Sequence, residues 1–176
     1  VSFVTQAELD KHKEEKHTPT GWPTEESIAK RVGMVIIGFS VAHKDGTKRD
    51  KLELLVPTAN GPLRIRGSTG SCFVVTPDGF AITNQHVVED YMKRKSESDA
   101  FEEVAKRIDA VSVKPSIWVV LNKEILVAEV IYVSSEFDHA IIKIKEVNEL
   151  PIWKLSSKSE IPRSTPVRTL GFPGAS

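Results

Sequence analysis

Cysteine is almost absent from the sequence, and so is any long hydrophobic run. The single cysteine, Cys72, excludes an intrachain disulfide framework and a zinc site built from several cysteines. No apolar run approaches the roughly 20 residues of a transmembrane helix, so we expect no membrane span. Lysine plus arginine and aspartate plus glutamate number 24 each, so the net charge is zero. A general attraction to nucleic acid or to an anionic membrane is therefore not expected.

The composition is that of an ordinary folded protein. The 176 residues are 40% hydrophobic and 27% charged, which fits one compact domain with appendages rather than a disordered chain. Residues 1–23 are polar and carry too few apolar side chains to form a core face, so we interpret them as an extension. Thr24, followed by two glutamates, predicts the N-cap of a short helix that runs to about Arg31. We assign residues 24–176 to the domain itself.

For the remainder of the domain the sequence predicts mainly short β-strands. Pro77-Asp78-Gly79 and Asn122-Lys123 each separate two apolar runs and predict hairpin turns. Seven strands are predicted in all, at residues 34–41, 51–56, 71–76, 80–83, 117–121, 125–133 and 139–145. This pattern indicates a mostly β fold, an antiparallel barrel or sandwich.

One stretch does not read as strand. Residues 89–109 are charged and favour helix, with an apolar stripe at Phe101, Val104, Ala105 and Ile108. We interpret them as a helix on the barrel surface, within an insertion at 90–112. Its stripe is expected to pack against the domain, and the alternative is a contact with substrate or partner.

His86 is the first candidate for chemistry. It follows the predicted hairpin of residues 71–83 in the segment Thr83-Asn84-Gln85-His86-Val87-Val88. A general base needs a rigid element that holds its ring while one nitrogen faces a cleft. A histidine in this position can equally be a structural hydrogen-bonding residue.

Asp138 is the second candidate, because it is a lone acid that opens the apolar strand around 139–145. A carboxylate that accepts from one imidazole nitrogen fixes the tautomer and stabilises the imidazolium. The alternative is a residue that merely initiates the strand. His139, its neighbour, is expected to point away from it, since adjacent strand residues face opposite sides.

Taken together, these segments resemble trypsin-like serine proteases of the HtrA type over about residues 34–174. The resemblance lies in residues 67–88, the segment that starts at Asp138, and residues 150–155 and 169–174. It implies the N-terminal β-barrel of the chymotrypsin-like fold, with six or seven strands. It also implies that His86 is the catalytic general base and Asp138 its partner, acting on a protein or peptide substrate without a cofactor. A bacterial periplasmic or envelope location would follow from the same resemblance.

The nucleophile is where the sequence departs from that family. In the family it lies in a G-x-S-G-G segment of the second barrel, and no such segment occurs here. Ser68 and Ser71 precede the histidine hairpin and lack the spacing of a nucleophile turn, and Ser176 has no glycines after it. We therefore expect this chain to lack the serine and to be inactive alone. A second barrel, following Ser176 or on a partner chain, would have to supply it.

Two smaller departures bear on the site. Cys72 stands where the family usually has glycine, and we interpret it as a small buried side chain. The 52 positions between His86 and Asp138 exceed the usual separation, and the helical insertion accounts for the excess.

A metal site is not predicted, because His12, His17 and His43 lie in polar segments without a ligand motif. Two non-enzymatic hypotheses remain open at this point. One is a protease-like barrel that serves as a protein-binding module, and the other is a structural barrel in which His86 and Asp138 satisfy each other. An apolar face left open at the cleft would favour self-association.

Overall fold

A computed structural model describes residues 23–157, 160–163, 165 and 169–172. The predicted extension at 1–23, with His12 and His17, lies almost wholly outside the described residues, as does Ser176. There are three helices in the described ranges, α1 (Glu25–Ala29), α2 (Gln85–Ser96) and α3 (Ser98–Arg107). The strands there are β1 (Val32–His43), β2 (Lys48–Lys51), β3 (Glu53–Val56), β4 (Leu63–Arg66), β5 (Ser68–Val74), β6 (Phe80–Thr83), β7 (Ala110–Leu121), β8 (Glu124–Val133) and β9 (Ala140–Ile144).

Six strands form a closed antiparallel barrel. They follow the order β1-β5-β6-β9-β8-β7, and β7 pairs with β1 to close the sheet. Strand β2 joins the other half of β1 as a seventh strand, and β3 pairs with β4 in a separate two-stranded sheet. The predicted mostly β fold with a six- to seven-stranded antiparallel barrel is therefore confirmed.

Alternating side chains of the strands build the interior. Along β1, Val35, Ile37, Phe39 and Val41 are fully buried, as the two-residue period of a strand requires. Both predicted hairpin turns are present: Gly79 adopts a positive φ of 101°, and Asn122 and Lys123 are left-handed at 49° and 71°. Two successive positive φ values match the twist of antiparallel strands, so this turn joins β7 to β8 tightly.

The apolar core has two parts. The barrel interior is one cluster, to which α2 contributes Val87, Val88 and Tyr91. A second cluster lies between α3, β3 and the far ends of β1 and β7, and we call it the flank cluster. Its buried members are Phe39, Val41, Leu54, Val56, Phe101, Ala105, Ala110 and Val113. The stripe predicted on the inserted helix is thus packed on the domain, with Val104 and Ile108 partly buried beside the cluster.

Several element boundaries differ from those predicted. The single helix expected at 89–109 is two helices that break at Glu97, whose ψ of 45° is not helical. Helix α2 also starts at Gln85, because Val87, Val88 and Tyr91 form a helical rather than a strand face. Strands β2 and β4 were not predicted, since their residues are mostly charged and exposed. The strand expected at 51–56 is interrupted at Leu52, whose carbonyl accepts from Gly67.

None of the helices in the described ranges is long and apolar enough to cross a membrane.

Candidate active site

His86 lies in the first turn of α2, directly after the hairpin of β5 and β6. Thr83, the last residue of β6, is buried and donates its hydroxyl hydrogen to the carbonyl of Ser71 at 2.8 Å. Val87 is buried against Gly70 of β5, where an added Cβ would lie 2.5 Å from Cγ2 of Val87. The helix can approach the strand so closely only because residue 70 lacks a side chain. His86 is therefore carried by a turn that is fixed against the barrel.

Asp138 is presented by the connection between β8 and β9. Ser134 is buried at the start of that connection, and its hydroxyl oxygen accepts from the backbone N–H groups of Glu136 and Phe137 at 3.2 and 3.0 Å. The backbone N–H of Ser134 in turn donates to the carbonyl of His139 at 3.0 Å. These three hydrogen bonds brace a tight loop, so the position of Asp138 is set by its backbone rather than by exposed side chains.

The two candidate side chains are in contact. Nδ1 of His86 lies 2.8 Å from Oδ2 of Asp138, although 52 positions separate the residues in the sequence. The backbone N–H of His86 donates to Oδ1 of the same carboxylate at 3.0 Å. Both carboxylate oxygens thus bind one residue, through its ring and through its main chain.

Asn84 is a site residue that the sequence analysis did not select. Its side-chain amide donates to Oδ2 of Asp138 at 3.1 Å and to the backbone carbonyl of Asp138 at 3.2 Å. Asn84 occupies the N-cap position of α2, yet its side chain makes no capping hydrogen bond. Asp138 accepts one of the free N–H groups of the first helical turn instead, so the carboxylate caps α2 from another part of the chain. In the sequence, the feature that could have identified Asn84 was its residue type, which is typical of an N-cap, two positions before His86.

The electrostatics follow from these donors. The pKa of Asp138 is held below its ordinary value of 3.8, mainly by the backbone N–H of His86 and further by the His86 imidazole and the Asn84 amide. Partial desolvation opposes this effect. An ionised carboxylate only accepts hydrogen bonds, so in the neutral ring the proton sits on Nδ1. Nε2 is then a free acceptor, and no residue in the described ranges forms a hydrogen bond with it.

The pair is open to solvent in this chain. The His86 side chain is 68% exposed and that of Asp138 52%. Both lie on the surface of the barrel rather than in a closed cleft. The arrangement can hold an imidazole in one tautomer and accept a proton at Nε2, and the water around it weakens the electrostatic interaction between ring and carboxylate.

The side chains of the other predicted residues make no hydrogen bond with this pair in the described ranges, although Ser71, Cys72 and His139 line a cavity beside Asp138. His139 precedes β9 instead of lying within it, and its ring stacks on Phe137 with 6.1 Å between the centroids. Cys72 is buried as expected, and burial raises the pKa of its thiol to about 12. Ser71 binds the backbone of Phe172, whose N–H donates to its hydroxyl oxygen at 2.6 Å.

Ser68 and His43 each have a buried polar atom that lacks a partner among the described residues. Within the same ranges no three His, Cys, Asp or Glu residues are grouped closely enough to hold a metal ion.

A closed antiparallel barrel of six strands matches the barrel of the chymotrypsin-like fold. The family model for the trypsin-like peptidase domain matches residues 70–176, and the chain belongs to this family. A solved structure to which it is similar is the HtrA-type protease AlgW with decapeptide, at 20% identity and a TM-score of 0.38. That match covers 73% of this chain and 33% of the other, so this chain spans about a third of the length of AlgW. A comparison with curated proteins found no match.

Proposed function

We propose that this chain is the base-and-acid half of a serine endopeptidase, in which His86 is the general base and Asp138 orients it. The observation that carries the proposal is the 2.8 Å contact between Nδ1 of His86 and Oδ2 of Asp138. Membership of the trypsin-like peptidase family supplies the class of reaction. A purely structural pair would not need Nε2 to lack a hydrogen-bond partner among the described residues.

The residues divide the work of acyl transfer as follows. Nε2 of His86 accepts the proton of a serine hydroxyl as that oxygen attacks the carbonyl carbon of the peptide bond. The resulting imidazolium is stabilised by Asp138, which stays ionised because its pKa is low. His86 then gives the proton to the leaving amine. In the second step His86 takes a proton from water as the water oxygen attacks the acyl carbon, and it returns that proton to the serine oxygen as the acyl group is released. Asn84 and the His86 backbone keep the carboxylate aimed at Nδ1 throughout.

The serine is proposed to come from outside this sequence. The sequence contains no G-x-S-G-G segment. The exposure of the pair supports the same conclusion, because a triad works in a cleft that excludes water, and another structural unit would have to cover His86. We therefore propose that a second barrel supplies the nucleophile and the oxyanion donors, and that this chain alone does not hydrolyse peptides.

The test compares this chain with the product of its complete reading frame, using a fluorophosphonate probe that labels activated serines. We expect no labelling of residues 1–176 and specific labelling of the complete product. His86→Ala should reduce the labelling rate by about 10³-fold or more, since the serine loses its base. His139→Ala is the matched control, because it removes a nearby imidazole that does not contact Asp138, and it should label as the unaltered protein does.

Three results would contradict the proposal. The first is labelling of a serine within residues 1–176 alone. The second is a complete reading frame that adds no activated serine. The third is undiminished labelling of the His86→Ala variant.

A further inference from the structure

A cavity of about 530 Å³ lies between helices α2 and α3 and strand β7, outside the His86–Asp138 site. Its floor is apolar and belongs to buried residues of the core: Tyr91, Phe101, Ala105, Ala110 and Val113. Cavities of 300 to 1,000 Å³ with an apolar lining are typical of small-molecule sites. The proposed peptidase function does not use this cavity.

The charged side chains that line the cavity are mostly of one sign. Lys95, Lys106 and Lys114 are exposed at its rim, and Arg94 lines it from α2. Among the described residues, Glu102 is the one acidic side chain that lines it. Lys106 also lies 3.9 Å from Glu103 and Arg94 lies 3.5 Å from Asp90, so the four cations around the apolar floor exceed the nearby carboxylates by one.

Arg94 is only partly neutralised by its surroundings. Its side chain is 18% exposed and packs over the ring of Phe39, with the guanidinium carbon 5.3 Å from the centroid. Within the described part of the chain, the carboxylate that pairs with it is that of Asp90, at 3.5 Å from Nη2, which is the outer limit of a hydrogen bond. Nη1 is buried and has no acceptor among the described residues. Buried guanidinium groups normally satisfy their donors, and Arg94, which lines the cavity, has one N–H group that the described residues leave without an acceptor.

We propose that this cavity binds a small organic acid, an apolar chain or ring that ends in one carboxylate. The apolar body would lie on the floor beside Phe101 and Val113, and the carboxylate would face Arg94 and the lysines of the rim. A multiply charged phosphate compound would gain nothing from the floor, and a neutral apolar compound would gain nothing from the cations. The combination of both surfaces selects a molecule that has both parts.

The proposal is tested by titrating the protein with decanoate below its micelle-forming concentration, by calorimetry and by amide chemical shifts. We expect saturable one-to-one binding, with the shifts centred on the residues that line the cavity. Decanamide, which has the same body without the charge, should bind at least tenfold more weakly. Arg94→Gln should weaken decanoate binding by about tenfold or more, as expected for a lost charge-assisted hydrogen bond.

Lys93→Gln is the matched control, since it removes a neighbouring cation of the same helix that does not line the cavity. It should bind decanoate within about twofold of the unaltered protein. If Arg94→Gln does not fold, the double variant Lys106→Gln/Lys114→Gln removes two exposed rim cations, and a threefold or greater loss is expected there.

Four outcomes would overturn the proposal. They are absence of saturable binding, equal binding of decanoate and decanamide, and equal losses in Arg94→Gln and Lys93→Gln. The fourth is a peptide with a free apolar C-terminus that binds the cavity where decanoate does not, which would assign the site to a peptide.

Discussion

Helix α2 carries His86 in its first turn and Arg94 in its last turn, and the two side chains differ in how fully the protein satisfies their hydrogen-bonding groups. At its first turn, His86 binds both oxygens of Asp138 through its ring and its backbone. Eight residues later, about 12 Å along the axis, Arg94 has one distant carboxylate and a buried N–H group without a described acceptor. The first end is satisfied by hydrogen bonds within the protein, and we propose that it moves a proton. The second is left for a ligand to satisfy.

The supports of the two ends also differ. The His86 end depends on backbone hydrogen bonds and on a glycine that admits Val87, whereas the Arg94 end depends on the aromatic rings of the flank cluster. Substitutions near His86 should therefore change the position of its ring and the pKa of Asp138. Substitutions near Arg94 should mainly lower the free energy of unfolding.

The largest effect is expected for Phe39→Ala. Phe39 is fully buried, lies 5.8 Å from the ring of Phe101 and carries the Arg94 guanidinium. The variant should lose about 3 to 5 kcal/mol of unfolding free energy, measured by denaturant titration. Phe137→Ala is its control, because that ring is 66% exposed, and it should change stability by less than about 1 kcal/mol. Equal losses in the two variants would contradict the assignment of the flank cluster as core.

A smaller loss is expected for Gly70→Ala. A Cβ at position 70 would lie 2.5 to 3.2 Å from three side-chain atoms of Val87, so the first turn of α2 must move away from β5. We expect a loss of about 1 to 3 kcal/mol and changed NMR shifts of the His86 ring. The double variant Gly70→Ala/Val87→Ala should recover part of that loss, since it removes the clashing methyl groups. No coupling between the two substitutions would mean that the contact does not position the helix.

A third prediction concerns the ionisation of Asp138. The chemical shift of its carboxyl carbon, followed against pH by NMR, should report a pKa below 3.8. Ionisation of Asp138 therefore stabilises the folded state above pH 3.8, and this contribution is lost as the pH falls through the folded-state pKa. Because the backbone N–H of His86 is the main cause, His86→Ala should keep the Asp138 pKa low, whereas Asp138→Asn should remove this acid dependence of stability. A His86→Ala variant in which Asp138 titrates at its ordinary value would show that the ring, not the backbone, controls it.

The smallest effect is expected at Cys72. The thiol is 2% exposed and burial raises its pKa to about 12, so it should not react with a thiol reagent at neutral pH in the folded protein. The rate of reaction should rise to that of a free cysteine in denaturant. A rapid reaction in the native state would show that β5 opens near the His86 site.

The sequence predicted the barrel and singled out His86 and Asp138, but it started the helix at residue 89 rather than at Gln85 and gave no sign of the cavity beside Arg94. Short apolar runs bounded by Pro77-Asp78-Gly79 and Asn122-Lys123 sufficed for the hairpins, because local turn chemistry and strand periodicity determine them. The pairing of His86 with Asp138 came from motifs whose order resembles a known family. The role of Asn84 and the cavity beside Arg94 could not be predicted, since both depend on elements that meet only after folding. The break at Glu97 was missed because both helices read as one run of helix-favouring residues.

The central claim is that Asp138 fixes the His86 ring with its proton on Nδ1 and leaves Nε2 free to accept one. Long-range ¹H–¹⁵N correlation spectra of the ¹⁵N-histidine-labelled protein at about pH 8.5, where ordinary imidazoles are neutral, report the tautomer directly. We expect a protonated Nδ1 and an unprotonated Nε2 for His86, and loss of that preference in Asp138→Asn. A neutral His86 that carries its proton on Nε2, or that shows the same tautomer mixture with and without the Asp138 carboxylate, would contradict it.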